Sequence, residues 1–141
     1  MGNFYKSDAL VGFYGDDLDP AEITQYLGVE PTVGVCKGEI WRTANGSEKV
    51  ASTGSWRLNA DTCVPADLDG QINRLLVGPT DDLTLWRELT AKYRAVVFCG
   101  LWLASYNDGI NLAAETLALM SERGLLLDLD IYESKRAPEA P

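Results

Sequence analysis

Every side chain from Ala95 to Ala104 is apolar. That run is about half the roughly 20 residues a membrane-crossing helix needs, so its burial must come from the protein itself. Its mixture of β-branched and aromatic residues favours a strand. A strand that is apolar on both sides of its pleat belongs in the middle of a sheet, buried on both faces. The remaining segments must supply its neighbours and its cover.

Upstream, Ala9 to Tyr14 reads as a first strand that ends in the turn Gly15-Asp16-Asp17. Asp19 then stands where a helix N-cap belongs, Pro20 at the first helical position and Glu22 at the return position of a capping box. Leu18 and Ile23 are spaced as a hydrophobic staple, and Gly28 suits a left-handed stop, which predicts a helix over Pro20–Leu27. Val35 to Thr43 is expected as a strand, Ala44 to Thr53 as a mobile hairpin connection, and Gly54 to Ala60 as the return strand. In that return strand Trp56, Leu58 and Ala60 alternate with Ser55, Arg57 and Asn59, so one face is apolar.

From Pro65 the period changes to a helical one, with Leu68, Ile72, Leu75 and Leu76 before a Gly78-Pro79 stop. A second cap at Thr80-Asp81-Asp82 opens a helix striped by Leu83, Trp86, Leu89 and Tyr93. After the apolar strand, Tyr106 to Gly109 is a turn and Asn111 caps a helix over Leu112–Arg123, which Gly124 ends. Leu125 to Glu133 is the last strand, with Leu125, Leu127, Leu129 and Ile131 on one side and Asp128, Asp130 and Tyr132 on the other. Residues 1–133 thus form a single domain ordered β-α-β-β-α-α-β-α-β, and 134–141 form a flexible C-terminal tail with little apolar content. The expected class is α+β: a mainly antiparallel sheet with helices packed largely on one face, ferredoxin-like in flavour.

Composition narrows the chemistry. A formal charge of −9 repels phosphate backbones and argues against general nucleic-acid binding. Histidine is absent, which removes the usual general base and the commonest metal ligand. The cysteines, Cys36, Cys63 and Cys99, are odd in number and form no CxxC pair, as in a reducing cytoplasm. No signal-peptide pattern opens the chain, and no phosphate-binding glycine loop occurs in it, so a soluble cytoplasmic protein without cofactor or metal is expected.

Several of these segments together carry a resemblance. Gly15-Asp16-Asp17-Leu18-Asp19-Pro20, Ile23-Thr24, Leu27-Gly28, Glu30-Pro31, Lys37-Gly38-Glu39, Ser55-Trp56 and Leu127-Asp128-Leu129-Asp130-Ile131-Tyr132 make the chain look like the bacterial domain of unknown function 4279. The resemblance runs from Leu10 to about Tyr132. It implies a compact bacterial α+β protein, and it brings no catalytic residues with it.

Candidate sites follow from side-chain chemistry. Asp16, Asp17 and Asp19 could gather around a hard cation, but they lack the ligand spacing of a calcium loop and are better explained by a turn and a cap. Asp128 and Asp130 share a strand face about 7 Å apart, a spacing open to acid/base work but better explained as a solvated strand face or as protection against edge pairing. Trp86 and Trp102 lie on core-like stripes. Trp41-Arg42 and Trp56-Arg57, placed on adjoining strands, could make an aromatic and cationic surface, although Trp56 alternates as a core residue. Lys37, Arg42 and Arg57 are possible counter-charges for the aspartates.

These features favour a non-enzymatic acidic interaction domain, an immunity or inhibitor protein for instance, steering toward a protein partner with a basic surface. The rival is a small-molecule-binding or enzymatic domain with a pocket between sheet and helices, built from Trp41, Arg42, Arg57, Asp128 and Asp130. Nothing in the sequence specifies an oligomeric state.

Overall fold

The alternation of Ala9, Val11 and Phe13 with Asp8, Leu10 and Gly12 starts the architecture in this computed structural model, which describes residues 2–133. After a short strand β1 (Gly2–Asn3), that segment forms β2 (Lys6–Gly15), whose odd residues from Ser7 to Phe13 are buried. Helix α1 (Pro20–Leu27) follows: the Asp19 carboxylate accepts from the Ala21 N–H, Leu18 and Ile23 are buried, and Gly28 closes the helix at φ 78°. The return half of the expected capping box is not made. Glu22 turns instead to Lys92 and the Tyr93 hydroxyl, each 3.1 Å away.

The strand expected over Val35–Thr43 is two strands. β3 (Val33–Val35) joins the main sheet, a turn through Gly38 at φ 88° breaks the chain, and β4 (Ile40–Arg42) pairs with β5 (Glu48–Val50) in a separate ribbon. The connection expected to be mobile is therefore partly paired, with only the Thr43–Ser47 turn at its tip. β6 (Gly54–Asn59), α2 (Leu68–Val77) and α3 (Leu83–Lys92) follow as expected, the helices capped by Asp67 and Asp82. The apolar run becomes β7 (Arg94–Trp102). A short strand β8 (Asp108–Gly109) pairs with β1. Helix α4 (Ala114–Arg123) starts later than expected, because Asn111 does not cap it; the Asp69 carboxylate accepts from the Ala113 N–H instead. β9 (Leu126–Tyr132) is last, and the expected tail, 134–141, lies outside the described residues.

The main sheet has the order β3-β6-β2-β7-β9. β2 is antiparallel to both neighbours, β6 and β7, while β7 and β9 run parallel. The fold is thus α+β with a mixed sheet. It departs from a plain four-stranded ferredoxin-like arrangement in this fifth, parallel strand and in the four short strands outside the main sheet.

The helices pack on one face. Val11, Phe13, Trp56, Val97, Cys99 and Leu101 meet Ile23, Leu27, Ile72, Leu76, Trp86 and Leu89 in one continuous core. The indole N–H of Trp56 donates to the Thr24 hydroxyl and that of Trp86 to the Thr80 carbonyl, so both large rings are buried with their polar atoms paired. A groove of about 270 Å³ does lie between the end of β6 and α2, lined by Leu58, Ala60, Arg74 and Leu75, but none of Trp41, Arg42, Arg57, Asp128 and Asp130 borders it. The other face of the sheet carries none of the described helices, and Trp102, expected in the core, lies there half-buried. The uniform apolarity of Ala95–Ala104 hid this alternation: the residues of both faces are apolar, but only one face is packed by helices. No helix among the described residues is long and apolar enough to cross a membrane.

Candidate functional site

Strand register places one grid of side chains on the uncovered face. Reading across β6, β2, β7 and β9, Arg57, Gly12, Val96 and Leu126 form one row, and Asn59, Leu10, Phe98 and Asp128 the next. Asp8, Gly100 and Asp130 follow, then Lys6, Trp102 and Tyr132. All of these come from alternate positions of strands whose other side chains lie on the helix-packed side of the sheet.

Two glycines shape the grid by letting rings lie against backbone. A Cβ at Gly12 would stand 2.6 Å from the Tyr14 hydroxyl, and one at Gly100 would stand 2.9 Å from the Trp102 ring. Tyr14 therefore folds over Gly12, where burial raises its pKa against the opposing pull of Arg57 and Arg94. Trp102 stacks on Tyr132 with centroids 4.8 Å apart and planes 18° from parallel, and the Lys6 ammonium sits 4.2 Å from the centroid of the same indole. Between these anchors lies a cleft of about 320 Å³, with Leu10, Phe98, Trp102 and Tyr132 as its apolar lining and Asp8, Asn59 and Thr62 at its polar edge. The Thr62 hydroxyl donates to the Asp8 carboxylate.

Of the sequence-derived candidates, Arg57, Asp128 and Asp130 lie on this face without converging, while Trp41 and Arg42 belong to the β4–β5 ribbon. Arg57 lies under the β4–β5 ribbon, its guanidinium 5.1 Å from the centroid of the half-buried Trp41 ring, although Trp41 is not on a strand adjoining Trp56. Arg42 points elsewhere and pairs with Glu48 at 2.9 Å. Asp128 and Asp130 stand three strands from Arg57, roughly 14 Å across the sheet. Asp130 accepts from the Tyr132 hydroxyl at 2.6 Å, and among the described residues neither aspartate has an ion-pair partner. Lys37 pairs with Asp16 at 3.2 Å, and the Thr53 hydroxyl also donates to Asp16, so this carboxylate ties the ribbon's base to the end of β2. Those hydrogen bonds hold Asp16 below the usual carboxylate range, the Thr53 bond foremost.

The cleft residues Leu10, Phe98, Trp102 and Tyr132 were not singled out as a set in the sequence. Their signal was the glycine two residues before Trp102 within an apolar strand, a spacing that leaves room for a ring to lie flat. Among the described residues no group of three or more acidic or cysteine side chains is placed to hold a metal ion. Cys99 is buried and its thiol is pushed up to about 12, chiefly by burial, with Asp128 adding to the effect. Cys36 is also raised, by desolvation and by Glu39, so neither thiol is an activated nucleophile.

Fold and face together define an α+β protein with helices on one side of a mixed sheet and an aromatic, carboxylate-edged cleft on the other. The chain matches the family described as Domain of unknown function (DUF4279) over residues 5–134, and it belongs to that family. No curated protein and no solved structure matches it.

Proposed function

We propose that this chain is a non-enzymatic recognition domain that binds a basic protein partner through the uncovered face of its sheet, as an inhibitor or immunity protein would. The observation that carries the reading is the aromatic cleft with Asp8, Asp128 and Asp130 beside it on a face that no described helix covers. Trp and Tyr in a pocket supply anchoring contacts, and a charge of −9 supplies long-range attraction to a cationic surface. The raised thiols of Cys36 and Cys99 support a binding role over a catalytic one. The cleft's volume, about 320 Å³, sits at the low end of small-molecule sites, which typically span roughly 300–1,000 Å³, and this supports a metabolite as the second reading.

The test pairs the purified protein with the product of the neighbouring gene and measures association kinetics. The association rate should fall several-fold between about 20 and 150 mM salt, as screening shortens the reach of the acidic face. Trp102→Ala should weaken the complex about tenfold or more while the protein stays folded. A salt-independent rate overturns the electrostatic reading. Stabilisation by a metabolite that Trp102→Ala abolishes moves the function to the second reading.

A further inference from the structure

β9 ends the main sheet, and no described strand pairs with its outer edge. In this strand the Tyr132 carbonyl accepts from the Leu103 N–H on the β7 side, so by alternation Leu127, Leu129 and Ile131 direct their backbone groups outward. The same three side chains continue the helix-facing side of the sheet, in register with Val97, Cys99 and Leu101. Yet Leu129 is 44% exposed and Ile131 53%. Natural sheets usually protect an edge with charge, proline or a bulge on the face that would be buried. Here the charge stands only on the opposite face, at Asp128 and Asp130.

We infer that β9 accepts an added strand from a partner segment in which apolar residues alternate with Lys or Arg. Such a strand would set its apolar side chains beside Leu127, Leu129 and Ile131 and its cations beside Asp128 and Asp130, while its backbone completes the ladder. A second copy of this chain fits worse. An antiparallel pairing centred on Leu129 keeps the apolar face continuous but sets Asp128 against the partner's Asp130 twice over, and directly opposed like charges are destabilising. The inference rests on the proposed binding of a basic partner and says where that partner's chain lies.

The experiment uses the full chain with two synthetic heptapeptides, one alternating valine with lysine and one alternating valine with glutamate, at low ionic strength. Amide hydrogen exchange is followed residue by residue. In the free protein the Leu127, Leu129 and Ile131 amides should exchange fast while those of Asp128 and Asp130, bonded toward β7, are protected. The lysine peptide should protect the outward amides and bind at least about tenfold more tightly than the glutamate peptide. Asp128→Asn combined with Asp130→Asn should reduce that preference about fivefold. Protection of the outward amides in the free protein overturns the inference, as does lysine-peptide binding that leaves them unprotected. In that last case shifts at Trp102 and Tyr132 would keep the proposed function while removing the strand addition; failure of the neighbouring-gene product to bind would remove the function itself.

Discussion

Replacing Gln71 by leucine should expose how much stability depends on one buried polar joint. Gln71 and Ser7 are both fully buried. The Ser7 hydroxyl donates to Gln71 Oε1 at 2.6 Å and accepts from the Asp67 N–H at 2.9 Å. Gln71 Nε2 donates to the Ser7 carbonyl at 3.0 Å and the Asp61 carbonyl at 2.7 Å. Together these bonds lock the start of β2 to the first turn of α2. Leucine fills a similar volume but leaves the Ser7 hydroxyl without its acceptor and the Asp61 carbonyl with only the weak Cys63 thiol donor at 3.7 Å; the Ser7 carbonyl keeps its bond from the Cys63 N–H. At about 1–3 kcal/mol for each stranded group, less the gain from burying an apolar side chain, the expected loss is about 3 kcal/mol. Ser7→Ala strands Gln71 Oε1 and the Asp67 N–H and should cost about 2 kcal/mol. The double variant removes both partners at once, so its loss should fall short of the sum by about 1–2 kcal/mol. Urea titrations of the four proteins, with unchanged m-values, measure this cycle. A neutral Gln71→Leu, or strict additivity, would refute the argument that the joint acts as a unit.

Other expectations are simpler. Trp56→Ala, at a site with no exposure and edge-to-face contact with Phe13, should cost about 3–5 kcal/mol, whereas half-buried Trp41→Ala should cost nearer 1 kcal/mol; equal large losses in denaturant titrations would contradict the placement of Trp41 over Arg57. Asp16 and Asp108 are both held low, Asp108 mainly by the Ser105 N–H, so the stability they add is present at neutral pH and lost as pH falls through their depressed values. Melting temperature should thus drop below about pH 4, and the double change to asparagine should flatten that slope; an unaltered slope counts against it. The melting temperature should be indifferent to EDTA, and a fall of several degrees would return attention to Asp16 and Asp17.

Local signals in the sequence carried the helices well because each had its own punctuation. Asp19, Pro20 and Gly28 bound α1 by chemistry that acts within a few residues, and Asp82 does the same for α3. Asn111 failed as a cap because the group that takes its place, Asp69, comes from a distant helix, which no local pattern reveals. The strand over Val35–Thr43 was divided by Gly38, whose positive φ reads in sequence only as a tolerated glycine. Asp128 and Asp130 were placed correctly on one strand face by period-two alternation. The cleft was not legible, since it arises where Leu10, Phe98 and Trp102 are brought together by pairing between strands far apart in the chain, and apolar residues alone do not announce which face stays uncovered.

The central position of β2 has a consequence for how the protein comes to be made. Leu10 is paired on one side with Asn59 and on the other with Phe98, so β2, synthesised before either neighbour, waits for both of them. At roughly 5–20 residues per second, translation takes several seconds to deliver β7 after β2. Through that interval Val11 and Phe13 belong to a strand with at least one bare edge, and a ribosome-bound chain that stops short of Trp102 cannot close the sheet at all. Nascent chains cut before that point should be the species that chaperones hold and proteases find, and the protein should fold slowly for its size because its defining pairing spans most of its length.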